Sequence, residues 1–233
     1  MKTLSLVVPA YNAQAQLDSL LGHLDGFRAC AAASGYALQE TIIVDDGSEP
    51  PLRRPPVLPN LVLLRNERNR GKGYSVRRGM MSAKGEFALM TDVDEAAPLT
   101  EFTKLAAAMG DDTWIVCGQR RGRQGMPPSR KILARVFAFL VRFAGVRRVR
   151  DTQCGFKLFR LEPMRPLFAR QRIERFAFDV ELIARAQRAG GRVSSARIEW
   201  RHGAAPSSLR LMKDGPRMLL DLIRAVFGSR TWR

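Results

Sequence analysis

The sequence has little cysteine and no long uninterrupted apolar run. Three cysteines among 233 residues are widely spaced and form no CxxC pair, which argues against a disulfide framework and against a zinc site. The apolar part of the N-terminus is short and soon meets Pro9 and Asn12, so we expect no signal peptide and a reducing cytosol. No apolar run approaches the length of a membrane span; the nearest, residues 131–146, is interrupted by Arg135 and Arg142.

Acidic residues are also scarce relative to basic ones. The chain has 39 Lys and Arg against 22 Asp and Glu, a formal charge of +17, which indicates an anionic partner without identifying it. Nucleic acid, an anionic membrane surface and phosphorylated small molecules all remain open. A hydrophobic content of 45% is enough for a core, so we expect one domain, residues 1–233.

Apolar and helical patterns alternate along the chain. Short runs rich in Val, Ile and Leu predict buried strands. They lie at residues 3–11, 40–47, 60–66, 87–92 and 114–120. Helical patterns fill residues 13–33, 72–84 and 99–109. This alternation predicts an α/β fold with a largely parallel sheet. Beyond residue 120 we expect a basic segment, an apolar helix, a strand at 154–160, a helix at 177–190 and a strand at 192–201, which completes the same sheet.

Polar side chains follow three of the predicted strands. PAYN, DDGS and TDVDE place Asn12, Asp45, Asp46, Asp92 and Asp94 at strand ends. In a parallel α/β sheet ligands bind at the carboxyl ends of strands, so these residues are predicted to share one crevice. An Asx turn would explain DDGS equally well, and a helix N-cap would explain one acid of TDVDE.

The one-residue spacing of Asp92 and Asp94 has a further implication. At strand-like spacing both carboxylates point to the same side, and their repulsion destabilises the fold unless a cation lies beside them. Oxygen ligands favour Mg²⁺ or Mn²⁺, which takes its remaining positions from water and phosphate. Neighbouring Glu95 is expected only to favour a helix start.

Two basic segments carry weaker signals. Gly71 and Gly73 flank Lys72 before a predicted helix; this is either a flexible turn or a place where Lys72 or Arg77 meets phosphate. Residues 118–131 contain five basic residues and precede a helix that is apolar around most of its circumference. Core burial and membrane contact both remain open for that helix. Residues 216–233 have a similar mixture of apolar residues and arginine.

Six ordered motifs resemble glycosyltransferase family 2. They are PAYN, VDDGS, NRGKGYSVRRGM, TDVD, RDTQCGFKLF (150–159) and FAFDVEL (176–182). The branch that they resemble contains the dolichyl-phosphate glucose and mannose synthases. The resemblance implies a GT-A fold, a Rossmann-like and mostly parallel mixed sheet flanked by helices, with C-terminal amphipathic helices. Residues 1–120 would bind the nucleotide sugar, and residues 121–233 would bind the acceptor and contact the membrane.

The resemblance also assigns roles to residues. Asp92 and Asp94 would bind Mg²⁺ or Mn²⁺, and with Arg120 and Arg130 would form the catalytic group. The residues implied to bind the nucleotide sugar are Pro9, Tyr11, Asn12, Asp45, Asp46, Lys72 and Asp92. Those implied to bind the acceptor phosphate are Arg121, Arg130, Lys157 and Arg210. The candidates for the acceptor side are Asp179 and Glu181, for which the favourable placement of acids at a helix N-terminus is an equally good explanation.

The implied reaction is inverting transfer of glucose or mannose, from UDP-glucose or GDP-mannose, to a polyprenyl phosphate. The acceptor phosphate is already ionised near neutral pH, so positive charge matters more than a strong base, which agrees with abundant Arg and scarce His. We expect a peripheral enzyme on the inner, cytoplasmic face of the membrane. A different acceptor, either a glycan or another lipid, is the alternative. A nucleic-acid-binding module leaves the strand-end acids unexplained, because they would repel a phosphate backbone, and no nucleic-acid partner is expected.

The sequence departs from the family at two places. Ala13 and Gln14 follow PAYN where relatives carry acidic residues, which is expected to weaken a charge interaction near the nucleotide. APSSLR at 205–210 replaces a GSK-like element, so Ser208 cannot supply a lysine there, and Arg210 is the substitute.

Overall fold

The computed structural model describes residues 1–53, 58–120, 141–142, 146–147, 149–201 and 221. These residues form one sheet of seven strands with helices on both faces. The strands are β1 (Lys2–Ala10), β2 (Tyr36–Asp45), β3 (Leu61–Arg65), β4 (Phe87–Met90), β5 (Thr113–Arg120), β6 (Lys157–Arg160) and β7 (Arg192–Ile198). The helices are α1 (Gln14–Gly22), α2 (Leu24–Ala33), α3 (Lys72–Ser82), α4 (Phe102–Ala107), α5 (Leu161–Ala169) and α6 (Phe178–Arg188), and a 3₁₀ turn (Leu99–Glu101) precedes α4.

The strand order is β3-β2-β1-β4-β6-β5-β7. The first four strands in that order are mutually parallel, β6 is antiparallel to both β4 and β5, and β7 is parallel to β5. Because β6 runs against its neighbours, its first residue, Lys157, pairs with Met90 at the end of β4 and with Cys117 in β5. The start of β6 therefore lies at the edge where the other strands end.

Two apolar clusters fill the space between the sheet and the helices. On one face α3, α5 and α6 pack against the sheet through residues such as Val76, Phe168 and Ile183. On the other face α1, α2 and α4 pack through residues such as Leu20 and Phe102. Alternate residues of each strand face opposite clusters, as the period of two requires. The expected α/β architecture is confirmed.

The predicted elements are confirmed with two differences. The single helix expected after β1 is two helices, and His23, between Gly22 and Leu24, lies at the break with φ −95° and ψ −1°. Helix α5 was not indicated by the sequence, because Pro163 and Pro166 lie in it. Leu161, Met164 and Phe168 nevertheless form its buried stripe, and tertiary packing outweighs the helix-breaking tendency of proline.

The expected helix at 131–146 and the C-terminal helices fall largely outside the described residues. Of the former, Val141 and Val146 are described, and both are buried in the cluster that contains α3. These two residues therefore belong to the core. Within the described ranges, no helix has the length and apolar composition needed to cross a bilayer.

Candidate active site

The strand-end residues meet at one edge of the sheet, as the sequence predicts. Asp46 N donates a 2.8 Å hydrogen bond to the carbonyl of Ala10, which joins the ends of β1 and β2. Asn12 N donates to Ser48 Oγ over 2.9 Å, and Glu49 N donates to Asn12 Oδ1 over 2.9 Å. Asn12 has a φ of 50°, a conformation that asparagine tolerates better than most residues. The first and second motifs therefore form one bonded unit.

Asp45 is a buried acid that bonds to its own turn and to β3. Its side chain is 1% exposed and accepts hydrogen bonds from Ser48 N at 2.8 Å and Arg65 Nη1 at 2.5 Å. Burial alone would raise the pKa of Asp45, but the hydrogen bonds from Ser48, Leu52 and Arg65 outweigh burial and hold that pKa below its usual value. Asp45 therefore orders the DDGS turn in this conformation. Its predicted nucleotide contact stays a prediction.

Asp46 ties the DDGS turn to the GKG loop. The residue is 4% exposed, and its carboxylate accepts hydrogen bonds from Asn66 Nδ2 at 2.7 Å, Arg70 N at 2.9 Å and Gly71 N at 2.8 Å. Two backbone donors and one side-chain donor thus satisfy the acid. Asp46 positions the residues that lead into α3.

Pro9 and Tyr11, the other two residues expected to bind the nucleotide sugar near the end of β1, differ in exposure. Pro9 is buried within β1 and pairs with Val44 of β2. Tyr11 is 48% exposed just beyond the strand end, so its ring is available to a ligand at this edge.

Asp92 lies at the centre of the edge and contacts Lys72. The Nζ of Lys72 forms an ion pair with Oδ1 of Asp92, and both side chains are partly exposed, at 20% and 29%. A Cβ atom on Gly155 would come within 2.0 Å of Asp92 Oδ2. Gly155, two residues before the start of β6, therefore leaves the space that the Asp92 carboxylate occupies.

Asp94 supplies the second carboxylate. Its Oδ1 accepts a 3.2 Å hydrogen bond from Ala96 N. Burial raises the pKa of Asp94, and the negative charge of Asp92 raises it further. The like-charge repulsion expected of the two acids is present, but the strand-like spacing expected for them is wrong, because β4 ends at Met90 and residues 92–95 form a turn.

The residues fit a hard divalent cation. Asp92 and Asp94 offer carboxylate oxygens, and a cationic group, the ammonium of Lys72, already contacts Asp92. Among the described residues, no group of three or more His, Cys, Asp and Glu could hold a metal. Mg²⁺ and Mn²⁺ commonly take one or two carboxylates and fill the other positions with water and substrate phosphate, so two carboxylates suffice.

Glu95 has a structural partner that the sequence did not reveal. Its Oε2 lies 2.8 Å from Nδ1 of His23, at the junction of α1 and α2, and its φ is 46°. The pair connects the DVD loop to the helices on one face of the sheet.

Arg120 is held by two groups. Its Nε and Nη2 donate to the two carboxylate oxygens of Asp151 at 2.6 and 2.7 Å, and its guanidinium lies 4.9 Å from the centroid of the Trp200 ring. Burial alone would raise the pKa of Asp151, but the Arg120 hydrogen bonds hold it below its usual value. The paired geometry fixes the direction of the guanidinium at the end of β5.

Lys157 lies below the edge, and the expected contact with an acceptor phosphate does not fit its position. Its side chain is 1% exposed, and its Nζ lies 2.7 Å from Oδ1 of Asp179, itself 4% exposed. Burial alone would lower the pKa of Lys157, but the negative charge of Asp179 outweighs it and raises the pKa. The pair joins β6 to the first turn of α6, so both residues are occupied internally.

Glu181 is also buried, which corrects the expectation that it faces an acceptor. Its side chain is fully enclosed and pairs with Arg185 one turn later. It also accepts hydrogen bonds from the backbone N–H groups of Arg172 and Ile173 at 3.0 and 2.8 Å. Its role is to hold the segment before α6.

The glycines of the GKG loop make close contacts with the chain itself. A Cβ on Gly71 would lie 2.6 Å from the carbonyl oxygen of Glu174, and one on Gly73 would lie 2.6 Å from that of Ile173. Arg77 donates to the carbonyl of Gln171 over 3.0 Å. Close packing against residues 171–175 thus accounts for both glycines and for Arg77.

Three predicted residues, Arg121, Arg130 and Arg210, lie outside the described residues, and their assignments stay predictions. Sequence reasoning missed Asp151 and Gly155 as parts of the site, although both lie in the RDTQCGFKLF motif. The available signal was an acid and a glycine, three residues before and one residue after Cys154, at the start of a predicted strand.

Comparison with known proteins bears on the same edge. The family model described as glycosyl transferase family 2 matches residues 5–168. A dolichyl-phosphate beta-glucosyltransferase of Dictyostelium discoideum is 33% identical, over 96% of this chain and 74% of that protein. The human protein of the same description is 36% identical, over 80% of this chain and 63% of that protein. The chain thus spans about two thirds to three quarters of the length of these relatives.

Solved structures show the same fold. Glucosyl-3-phosphoglycerate synthase from Mycobacterium tuberculosis, in complex with Mn²⁺ and UDP-glucose, superposes with a TM-score of 0.68 at 16% identity, covering 97% of this chain and 79% of that one. Mannosyl-3-phosphoglycerate synthase from Rubrobacter xylanophilus gives 0.64 at 17% identity, covering 97% and 73%. The expected GT-A fold is therefore confirmed. With the family motifs at the strand ends and a family model that matches most of the sheet, the chain belongs to glycosyl transferase family 2.

Proposed function

We propose that the protein transfers glucose from UDP-glucose to a polyprenyl phosphate such as dolichyl phosphate. The observation that carries the proposal is the 33% identity, over 96% of the chain, to a dolichyl-phosphate beta-glucosyltransferase. It favours glucose over mannose, which the motifs alone leave open. The Mn²⁺ and UDP-glucose in the M. tuberculosis enzyme support the same donor and a divalent cation.

The chemistry is a displacement at the anomeric carbon. An oxygen of the acceptor phosphate forms a bond to that carbon while its bond to the UDP oxygen breaks, and the electron pair leaves with the diphosphate. A β-linked product from an α-linked donor requires inversion in this single step. The acceptor phosphate is ionised near neutral pH, so the site needs orientation and positive charge more than a strong base.

The described residues suit that task. A divalent cation held by Asp92 and Asp94 would neutralise charge on the leaving diphosphate. Lys72 brings an ammonium group to Asp92, and Arg120 presents a guanidinium fixed by Asp151. We propose that Arg121, Arg130 and Arg210 contact the donor and acceptor phosphates. The charge of +17 would attract the enzyme to anionic lipid on the cytoplasmic face of the membrane.

A panel of nucleotide sugars against one polyprenyl phosphate tests the proposal. Radiolabelled UDP-glucose, GDP-mannose and other donors are incubated with the enzyme, with Mg²⁺, with Mn²⁺ or with chelator, and lipid-extractable label is counted. We expect label from UDP-glucose that depends on the cation and disappears in Asp92→Asn. In parallel reactions that supply a soluble phosphorylated acceptor or a glycan, label on that acceptor and none on the lipid would refute the lipid acceptor, and no product from any donor would refute the proposal.

A further inference from the structure

Residues 171–175 cross the start of α3, next to Lys72. Gln171 Nε2 donates a 2.8 Å hydrogen bond to the carbonyl of Gly73, and Tyr74 N donates a 3.0 Å hydrogen bond to the carbonyl of Glu174. Arg77 Nη1 donates to the carbonyl of Gln171 over 3.0 Å. The start of α3 is therefore hydrogen-bonded to this segment through both backbone and side-chain groups.

These bonds replace a helix cap. The N-cap residue of α3 is Gly71, which has no side chain to accept from the first-turn N–H groups, and such groups need partners outside the helix. The carbonyl of Glu174 accepts from one of them. Asp46 Oδ2 accepts a further hydrogen bond, from Gly71 N over 2.8 Å. The GKG loop is thus held between Asp46 and the 171–175 segment.

Helix α6 holds the segment in turn. Glu181 accepts from the backbone N–H groups of Arg172 and Ile173, and Arg185 Nε donates to Glu181 Oε1 over 2.9 Å. Gln171 Nε2 also donates to the carbonyl of Ile173 over 2.9 Å. Gln171 is 4% exposed and Glu181 is fully buried. A continuous set of hydrogen bonds therefore runs from α6 to the backbone of Gly73 and Tyr74, immediately after Lys72.

We propose that Gln171 and Glu181 are positioning residues for the donor side of the site. They fix the 171–175 segment, the segment fixes the first turn of α3, and that turn directs Lys72 to Asp92. Neither residue touches the substrate. The donor-side assignment of Lys72 rests on the proposed function, whereas the structural link from Gln171 to α3 does not.

Gln171→Met is the most informative variant. Methionine keeps the length of the side chain and removes both N–H donors, and Gln171 Oε1 has no hydrogen-bond partner among the described residues, so two bonds are lost and no other. Substitution of Glu181 would remove the buried carboxylate to which Arg185 and the backbone N–H groups of Arg172 and Ile173 donate, and would endanger folding.

Gln187→Met on α6 is the matched control. Gln187 Nε2 donates to the carbonyl of Arg147 over 2.7 Å, and its Oε1 accepts from Arg147 N over 2.9 Å. The same substitution therefore also removes two bonds to backbone groups, and these bonds go to Arg147 and not to α3.

Hydrogen–deuterium exchange and steady-state kinetics give separate tests. In Gln171→Met, we expect faster amide exchange in a peptide covering residues 70–76 and a rise of about tenfold in KM for UDP-glucose, from the loss of two neutral hydrogen bonds. The KM for the polyprenyl phosphate should stay within about twofold. Gln187→Met should match the wild type in both measurements.

Unchanged exchange in residues 70–76 would overturn the structural link. Equal increases in the KM values of donor and acceptor would overturn the donor-side assignment. If the wild-type enzyme transferred no glucose to the lipid, the proposed function would fail, and the exchange measurement would still decide whether Gln171 orders the start of α3.

Discussion

Gly155→Ala is predicted to damage the active site more than the fold. Gly155 carries no Cβ, and an added Cβ would lie 2.0 Å from Asp92 Oδ2 and 2.5 Å from Asp92 Cγ. Non-bonded heavy atoms pack at about 3.5 Å. The carboxylate is the flexible end of a side chain, so it is the group that moves, by roughly 1 Å or more.

The expected loss follows from that displacement. A misplacement of about 1 Å in a catalytic constellation lowers the rate on the order of 100-fold. Crowding at a buried position costs about 1–3 kcal/mol of stability, which a domain of this size can tolerate. We therefore expect a folded protein with kcat/KM reduced about 100-fold and with weaker Mn²⁺ binding, measured by electron paramagnetic resonance in the absence of substrate.

Gly26→Ala is the control. Gly26 lies in α2 with no atom within 4 Å of an added Cβ, so alanine should raise the free energy of unfolding by about 1 kcal/mol through helix propensity and leave kcat/KM unchanged. A folded Gly155→Ala protein with wild-type Mn²⁺ affinity and kcat/KM would refute the reasoning that Gly155 makes room for Asp92.

Two other ion pairs lead to stability predictions. The pKa of Asp151 lies below its usual value of 3.8, so the stability that its pair with Arg120 adds is present above about pH 4 and is lost as the pH falls through the lower folded pKa; in urea unfolding, the advantage of the wild type over Asp151→Asn should be smaller at pH 3 than at pH 7. An equal difference in the free energy of unfolding between the wild type and Asp151→Asn at both pH values would contradict this reasoning. Lys157→Met should lower the free energy of unfolding by about 3–5 kcal/mol, because it leaves Asp179 buried and unpaired, and adding Asp179→Leu should restore most of the loss. A double variant less stable than Lys157→Met would contradict that explanation.

The strand ends were the predictable part of the molecule. Apolar runs bounded by turn residues identified β1, β2, β4 and β5, and the rule that ligands bind at the carboxyl ends of parallel strands brought Asn12, Asp45 and Asp92 together. These inferences succeed because they depend on local composition and on one general property of parallel sheets.

The direction and burial of side chains were not predictable in the same way. Lys157 and Asp179 are separated by 22 positions, and nothing local indicates that they neutralise each other inside the core. The role of Gly155 depends on a contact with Asp92 across the β4–β6 pair. Helix α5 was hidden by its prolines. Each of these features depends on long-range packing, which a single sequence does not display.

The buried acids also explain why the cation that we propose would bind at Asp92 and Asp94 and not at another acid. Asp45, Asp151 and Asp179 each have a basic partner and are largely enclosed, so moving that partner away would leave a buried charge uncompensated. Asp92 differs, because it and its partner Lys72 are both partly exposed. A divalent cation can replace the ammonium at Asp92 without stranding a charge in the core, and the released Lys72 remains free to meet the phosphates that the cation brings. A divalent cation can therefore replace the basic partner at Asp92, whereas at Asp45, Asp151 and Asp179 the same replacement would leave a buried charge uncompensated.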